Sequence, residues 1–153
     1  MKPFPHHYTV TSSIGSQPEV VLETSRVAPL QTALPEQFGG PGNLWSPETL
    51  LVGAIADCYA MTFRGIARRS ELEWTSLRLE VTGVLNRVDN VTRFTDVHIR
   101  ARLLVPDCAR EELASRVLAK AEHTCLITRS MTSAVHLSTF VECAKHHAIS
   151  AVA

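Results

Sequence analysis

The sequence carries no excess of charge: fifteen Lys and Arg stand against fifteen Asp and Glu. Without a net field there is nothing global to attract nucleic acid or an anionic membrane surface, so neither is expected as a partner. None of the four cysteines forms a Cys-x-x-Cys pair, which argues against a secreted disulfide framework and against a zinc site. The tail motif Cys143-x-x-His146-His147 lacks a fourth ligand, and no metal is expected. The first residues, Met1 to Tyr8, lack the apolar segment of a signal peptide. No uninterrupted apolar run approaches the roughly 20 residues needed to span a bilayer. The expectation is a cytoplasmic protein with no membrane partner. In a reducing compartment, cysteines that matter are catalytic or redox-active rather than structural. Internal repeats and low-complexity segments are lacking as well.

What is present is an ordinary globular composition, 45% hydrophobic and 20% charged over 153 residues, enough for one domain with a substantial core. The chain is organised around the stretch from Trp45 to Arg69, which reads as one long helix spanning residues 46–70. Ser46 is a good N-cap, Pro47 suits the first helical position, and Glu48 places a negative charge at the positive end of the helix dipole. From Leu50 to Met61 nearly every side chain is apolar, which predicts a buried helix. Asp57, Arg64 and Arg68 share a narrow face and are expected to form an ion pair at its surface. Cys58 sits midway along this helix. By itself it reads as a small buried hydrophobe without chemistry.

On the N-terminal side, residues 8–13 and 19–24 flank the turn Gly15-Ser-Gln-Pro18 and read as a hairpin, with a third strand near residues 30–34. The Gly- and Pro-rich residues 35–45 read as a loop. After the helix, residues 74–88 alternate with Leu77, Leu79, Val81 and Leu85 on one face. Asp89-Asn90 marks a turn, and the returning strand puts Val97, Ile99, Ala101 and Leu103 inward with His98, Arg100 and Arg102 outward. This long antiparallel hairpin offers an apolar bed for the helix. A second helix, capped by Asp107, has Leu113, Ala114, Val117, Leu118 and Ala121 as its apolar stripe and ends near His123. Cys125 follows at once, and residues 134–143 form a last strand. The order βββ–α–ββ–α–β gives an α+β fold with helices against antiparallel sheet.

Gly39-Gly-Pro-Gly42, Ser46-Pro-Glu-Thr-Leu-Leu51 and Ala56-Asp-Cys-Tyr-Ala-Met61, taken in register, resemble the signature of the OsmC/Ohr family of thiol peroxidases. In that family a helix start of the form Asn/Ser-Pro-Glu-x-Leu precedes a reactive cysteine by ten residues, the spacing of Glu48 and Cys58 here. Cys125-Leu-Ile-Thr128 matches the position of the family's second cysteine, with Leu126 in place of the usual Pro. The resemblance implies a single OsmC-like domain over 1–153, with antiparallel sheets packed around the long central helix, assembled as an intertwined homodimer. It implies a cysteine-based cycle with no metal, flavin or haem. Cys58 attacks an organic hydroperoxide, Cys125 resolves the sulfenic acid to a disulfide, and a lipoyl or thioredoxin-like dithiol reduces it.

The chemistry sets two requirements. A desolvated thiol needs a cation beside it to ionise, and the family supplies an arginine paired with the glutamate. Arg26, after the second strand, is the candidate, since residues 35–45 contain no arginine; the alternative is a surface residue in a turn. Glu48 and Cys58 lie roughly 15 Å apart along one helix axis, so they meet only if the glutamate comes from an antiparallel partner helix. That geometry favours a homodimer with sites at its interface. Glu48 is otherwise only a helix-terminal charge. Phe38, Leu44, Trp45 and Met61 are candidates for an apolar substrate pocket, or else for the lid of the core. His123 is a possible proton carrier or a dipole partner, while Cys108 and Cys143 read as structural. The alternatives are a non-catalytic relative that binds an apolar ligand in the interface cavity, and a redox-sensing interaction protein.

Overall fold

The computed structural model describes residues 3–144, so His146 and His147 of the tail motif lie outside the described residues. The chain divides into two compact units, Met1–Leu51 and Val52–Ala153. The first holds an antiparallel three-stranded sheet of β1 (Thr11–Ile14), β2 (Val20–Glu23) and β3 (Leu30–Thr32), in that order. A 3-10 turn over Glu36–Phe38 interrupts the Gly- and Pro-rich loop. At Gly40 a Cβ would fall on the Leu34 carbonyl, so only glycine lets the loop fold back on that backbone. Ala33 N–H donates to the Trp45 carbonyl at 2.9 Å, tying β3 to the residue before the central helix.

Helix α1 (Pro47–Arg69) starts with a reciprocal cap. Ser46 Oγ accepts from Thr49 N–H at 3.2 Å, and Thr49 Oγ1 accepts from Ser46 N–H at 2.8 Å. The threonine takes the part that glutamate or glutamine plays in the usual capping box. The helix is long and apolar enough to cross a membrane by length and composition alone, yet it is amphipathic in its burial. Ile55, Tyr59, Phe63, Ile66 and Ala67 form the buried stripe, while Ala54, Asp57, Met61, Arg64 and Arg68 are exposed in the single chain. The expected ion pair on the latter face does not form. None of the ion pairs seen among the described residues involves Asp57, Arg64 or Arg68. Two turns of helix separate Asp57 from Arg64 by roughly 10 Å, too far for a direct pair.

The second unit contains β4 (Ser76–Val88), β5 (Val91–Val105), α2 (Glu111–Thr124), the single turn α3 (Leu126–Arg129) and β6 (Ala134–Cys143). Asp89 and Asn90 both take positive φ, 51° and 62°, the conformation that a two-residue hairpin turn requires. Val97, Ile99, Ala101, Leu103 and Val105 are buried and His98, Arg100 and Arg102 exposed, as the alternation predicts. Leu85 departs from it. A register shift between Val84 and Leu85 breaks the pleat, and Leu85 is exposed.

The last strand also corrects an expectation. β6 joins β5 in parallel, not antiparallel, so this sheet, ordered β4-β5-β6, is mixed. The passage through α2 and α3 is a crossover long enough to bring the chain back in the same direction. A continuous core unites the α1 stripe, the inner face of β5, and Ala114, Val117, Leu118 and Ala121 of α2. Tyr59 fastens α1 to α2 through its hydroxyl, which donates to the Leu118 carbonyl at 3.0 Å.

Candidate functional site

The site is built outward from Tyr59. Its ring is fully buried and its hydroxyl is anchored on α2, which fixes the rotation of α1 about its own axis. The preceding residue, Cys58, is thereby turned half-buried toward the end of α2. Cys125 waits there, fully buried, as the residue that ends α2 and caps α3. The Cys58 thiol is a near neighbour of Cys125, close enough to act on its ionisation, and both thiols are free. Two cysteines 67 positions apart in the sequence thus meet because two helices pack.

Burial pushes the Cys125 thiol up, and the adjoining Cys58 sulfur adds to the rise. The backbone amide and the hydroxyl of Thr128, one helical turn on, oppose this rise. Thr128 is itself buried, and its hydroxyl donates to the Cys125 carbonyl at 3.1 Å. Sequence reasoning missed this residue as a member of the site. The signal was the three-residue spacing in Cys125-Leu-Ile-Thr128, which one turn of helix converts into contact. Burial likewise pushes the Tyr59 hydroxyl up, helped by Glu122 and Cys125, so this side chain remains a hydrogen-bond donor. The Thr124 hydroxyl donates back to the Lys120 carbonyl at 2.7 Å, and Cys125 holds the capping position of α3. His123 is exposed, with its ring 3.3 Å from the Glu122 carboxylate.

The remaining candidates are distributed as follows. Glu48 occupies the second position of α1 in the first unit; its Oε2 is buried and has no hydrogen-bond partner among the described residues. Arg26, in the same unit, stands in the turn between β2 and β3 with a left-handed φ of 65°. It is exposed and makes no ion pair among the described residues. Phe38 and Trp45 are about half exposed and Leu44 is half-buried, all in the first unit, while Met61 of the second is 59% exposed. No cluster of three or more metal-ligating side chains occurs among the described residues. Chemically, the arrangement is a dithiol two electrons from a disulfide, with one sulfur at the edge of the core and the other inside it.

Comparison with known proteins supplies a family. The chain is 29% identical over 135 residues to the uncharacterized protein YmaD of Bacillus subtilis, covering 86% of this chain and 90% of that protein. Among solved structures, an OsmC-like protein of unknown function from Vibrio cholerae superposes with a TM-score of 0.82 at 14% identity, over 89% of this chain and all of that one. An organic hydroperoxide resistance protein from Legionella pneumophila superposes with a TM-score of 0.67 at 19% identity, over 90% and 99%. At such identities the likeness is one of fold. Residues 40–140 match the family described as OsmC-like protein, a span that contains the helix cap, both neighbouring cysteines and the mixed sheet, and the chain belongs to that OsmC/Ohr family.

Proposed function

We propose that this protein is a thiol-dependent peroxidase that reduces organic hydroperoxides, and hydrogen peroxide more weakly. The observation that carries the reading is that Cys58 and Cys125 are neighbouring free thiols where α1 meets the end of α2. The Cys58 thiolate attacks the distal oxygen of ROOH; the O–O bond breaks, the alcohol ROH leaves with a proton, and Cys58 becomes a sulfenic acid. Cys125 then attacks that sulfur, the S–O bond breaks, water leaves, and a Cys58–Cys125 disulfide forms. A lipoyl or thioredoxin-like dithiol returns both sulfurs to thiols by exchange. No cofactor enters the cycle.

The proximity of the two sulfurs supports a resolution step within one chain. The buried, unpartnered Oε2 of Glu48 supports the second part of the proposal. A buried carboxylate oxygen without a donor costs free energy, and a guanidinium satisfies it best. Glu48 cannot reach Cys58 along its own helix, so we assign it to the site of a partner subunit in a homodimer. There it orients an arginine, Arg26, that stabilises the Cys58 thiolate. On the exposed face of α1, Met61 is an apolar side chain that such a partner would cover. The polar residues Asp57 and Arg64 on that face, with the buried stripe opposite, support a core helix in a cytoplasmic protein over a membrane span.

The test is stopped-flow oxidation of the reduced protein by cumene hydroperoxide and, separately, by hydrogen peroxide, followed by thiol counting and peptide mapping. Rapid loss of two thiols to a Cys58–Cys125 bond, faster with the organic peroxide, is the expected result. A Cys58 that reacts at the rate of a free cysteine would sink the proposal and favour the ligand-binding relative.

A further inference from the structure

The described residues contain a second pair of neighbouring thiols, which the peroxidase cycle does not use. Cys143 closes β6, and its partner across the parallel ladder is Val105, the last residue of β5. From Val105 the chain turns at once through Pro106 and Asp107. The Asp107 carboxylate accepts from Ala109 N–H at 3.1 Å, and its carbonyl accepts from Arg110 N–H at 3.1 Å, which locks a 3-10 turn over Cys108–Arg110. Cys108 opens that turn, three residues beyond the strand partner of Cys143. The register and the turn thereby make the two cysteines neighbours, near enough for Cys108 to act on the Cys143 thiol, and both are free and half-buried.

We infer that Cys108 and Cys143 form a second redox-active dithiol, oxidised by a low-molecular-weight disulfide to an intramolecular bond that fastens the end of β6 to the entrance of α2. In the first step the thiolate of one cysteine attacks a sulfur of RSSR. That S–S bond breaks, a protein–SR mixed disulfide forms, and RS⁻ leaves. In the second step the other cysteine, having given up its proton, attacks the protein sulfur of the mixed disulfide. The Cys108–Cys143 bond forms and the second RS⁻ leaves. RSSR has accepted two electrons and the two thiol protons go to the two RS⁻. The pair has a different environment from the Cys58 site. Its thiol neighbour raises the Cys143 thiol to about 11, with burial and the Glu111 and Asp107 carboxylates adding to the shift. The acidic surroundings disfavour a standing thiolate of the kind that intercepts peroxide. Exchange with a disulfide tolerates this better, because a more basic thiolate is the stronger nucleophile once formed.

The test treats the reduced, full-length protein with bis(2-hydroxyethyl) disulfide, a neutral reagent, and maps every cysteine by mass spectrometry after quenching in acid. The expected product joins the Cys108 and Cys143 peptides within one chain and carries no mercaptoethanol adduct on either. In Cys108→Ser, Cys143 is expected to stop at the mixed disulfide. Recovery of Cys108 and Cys143 as free thiols, or as two separate adducts, overturns the inference, as does a bond between two chains. The wild-type map needs no variant to fold, and it reads these two cysteines independently of whether Cys58 reduces peroxides.

Discussion

At the residue scale the decisive feature is Thr128. Its amide and hydroxyl are the groups that oppose the rise which burial and the Cys58 thiol impose on Cys125. Thr128→Val removes the hydroxyl while keeping the volume. It is expected to leave the oxidation of Cys58 unchanged and to slow disulfide formation about tenfold, the worth of one hydrogen bond to a developing charge. A trap for sulfenic acid, applied over time after a peroxide pulse, reads this directly. The same thiol sets a pH dependence. Cys125 is raised above its ordinary value, so at neutral pH it is protonated in nearly every molecule. The rate of resolution therefore climbs as pH rises from neutral toward that raised value, by about tenfold per pH unit, and sulfenic acid persists longest on the acid side. A flat profile between pH 7 and 9 would remove Cys125 as the resolving nucleophile. For stability the sign is opposite. The folded state keeps the proton that the unfolded chain gives up, so the contribution is whole below the ordinary thiol pKa and is lost as pH rises through the folded one.

At the scale of elements, the packing of α1 on the hairpin depends on one small residue. A Cβ on Gly83 would lie 2.8 Å from the Phe94 ring and 2.9 Å from a Val52 methyl. Gly83→Ala must displace one of them, with an expected cost of about 1–3 kcal/mol, measured as a lower urea midpoint at unchanged slope. The β5–β6 pair has the opposite prospect. A Cys108–Cys143 bond closes a loop that spans α2, α3 and β6, and chain-entropy reasoning assigns such a loop about 4 kcal/mol at most. The oxidised protein is expected to melt several degrees higher than the reduced protein, with the increment absent in Cys143→Ser. Both effects act through the same element order, but one strains the native state and the other restricts the unfolded one.

At the scale of the whole molecule, Met61 on the exposed face of α1 and the Glu48 oxygen without a partner among the described residues both fit the proposed homodimer. Met61→Lys puts a charge on that face and is expected to shift the protein from dimer to monomer in sedimentation velocity. If Glu48 serves the partner's site, the same variant lowers peroxide turnover at low protein concentration. A monomeric wild type would leave Glu48 without its role and the interface proposal without support.

The element order, the hairpin alternation, the capped start of α1 and the family likeness were all legible in the sequence, because each depends on local periodicity or on residues within one or two turns. Ser46, Pro47 and the Asp89-Asn90 turn are the clearest cases. Leu85 was misread because a bulge has no signature in a two-residue period. The parallel sense of β6 was also misread, since strand direction depends on the path of the crossover and not on the residues of the strand. The two thiol pairs belong to the same class. Cys58 was linked to Cys125 by likeness to a family, but nothing local announces that they are neighbours; the Tyr59 hydroxyl on Leu118 brings them together. Cys108 and Cys143, 35 positions apart, read as inert until the β5–β6 register put them side by side. The sequence by itself determined which groups are available and where helices and strands begin. Only the tertiary structure decided which sulfur faces which, because long-range contacts are set by how apolar faces pack, and many residues contribute to that choice at once.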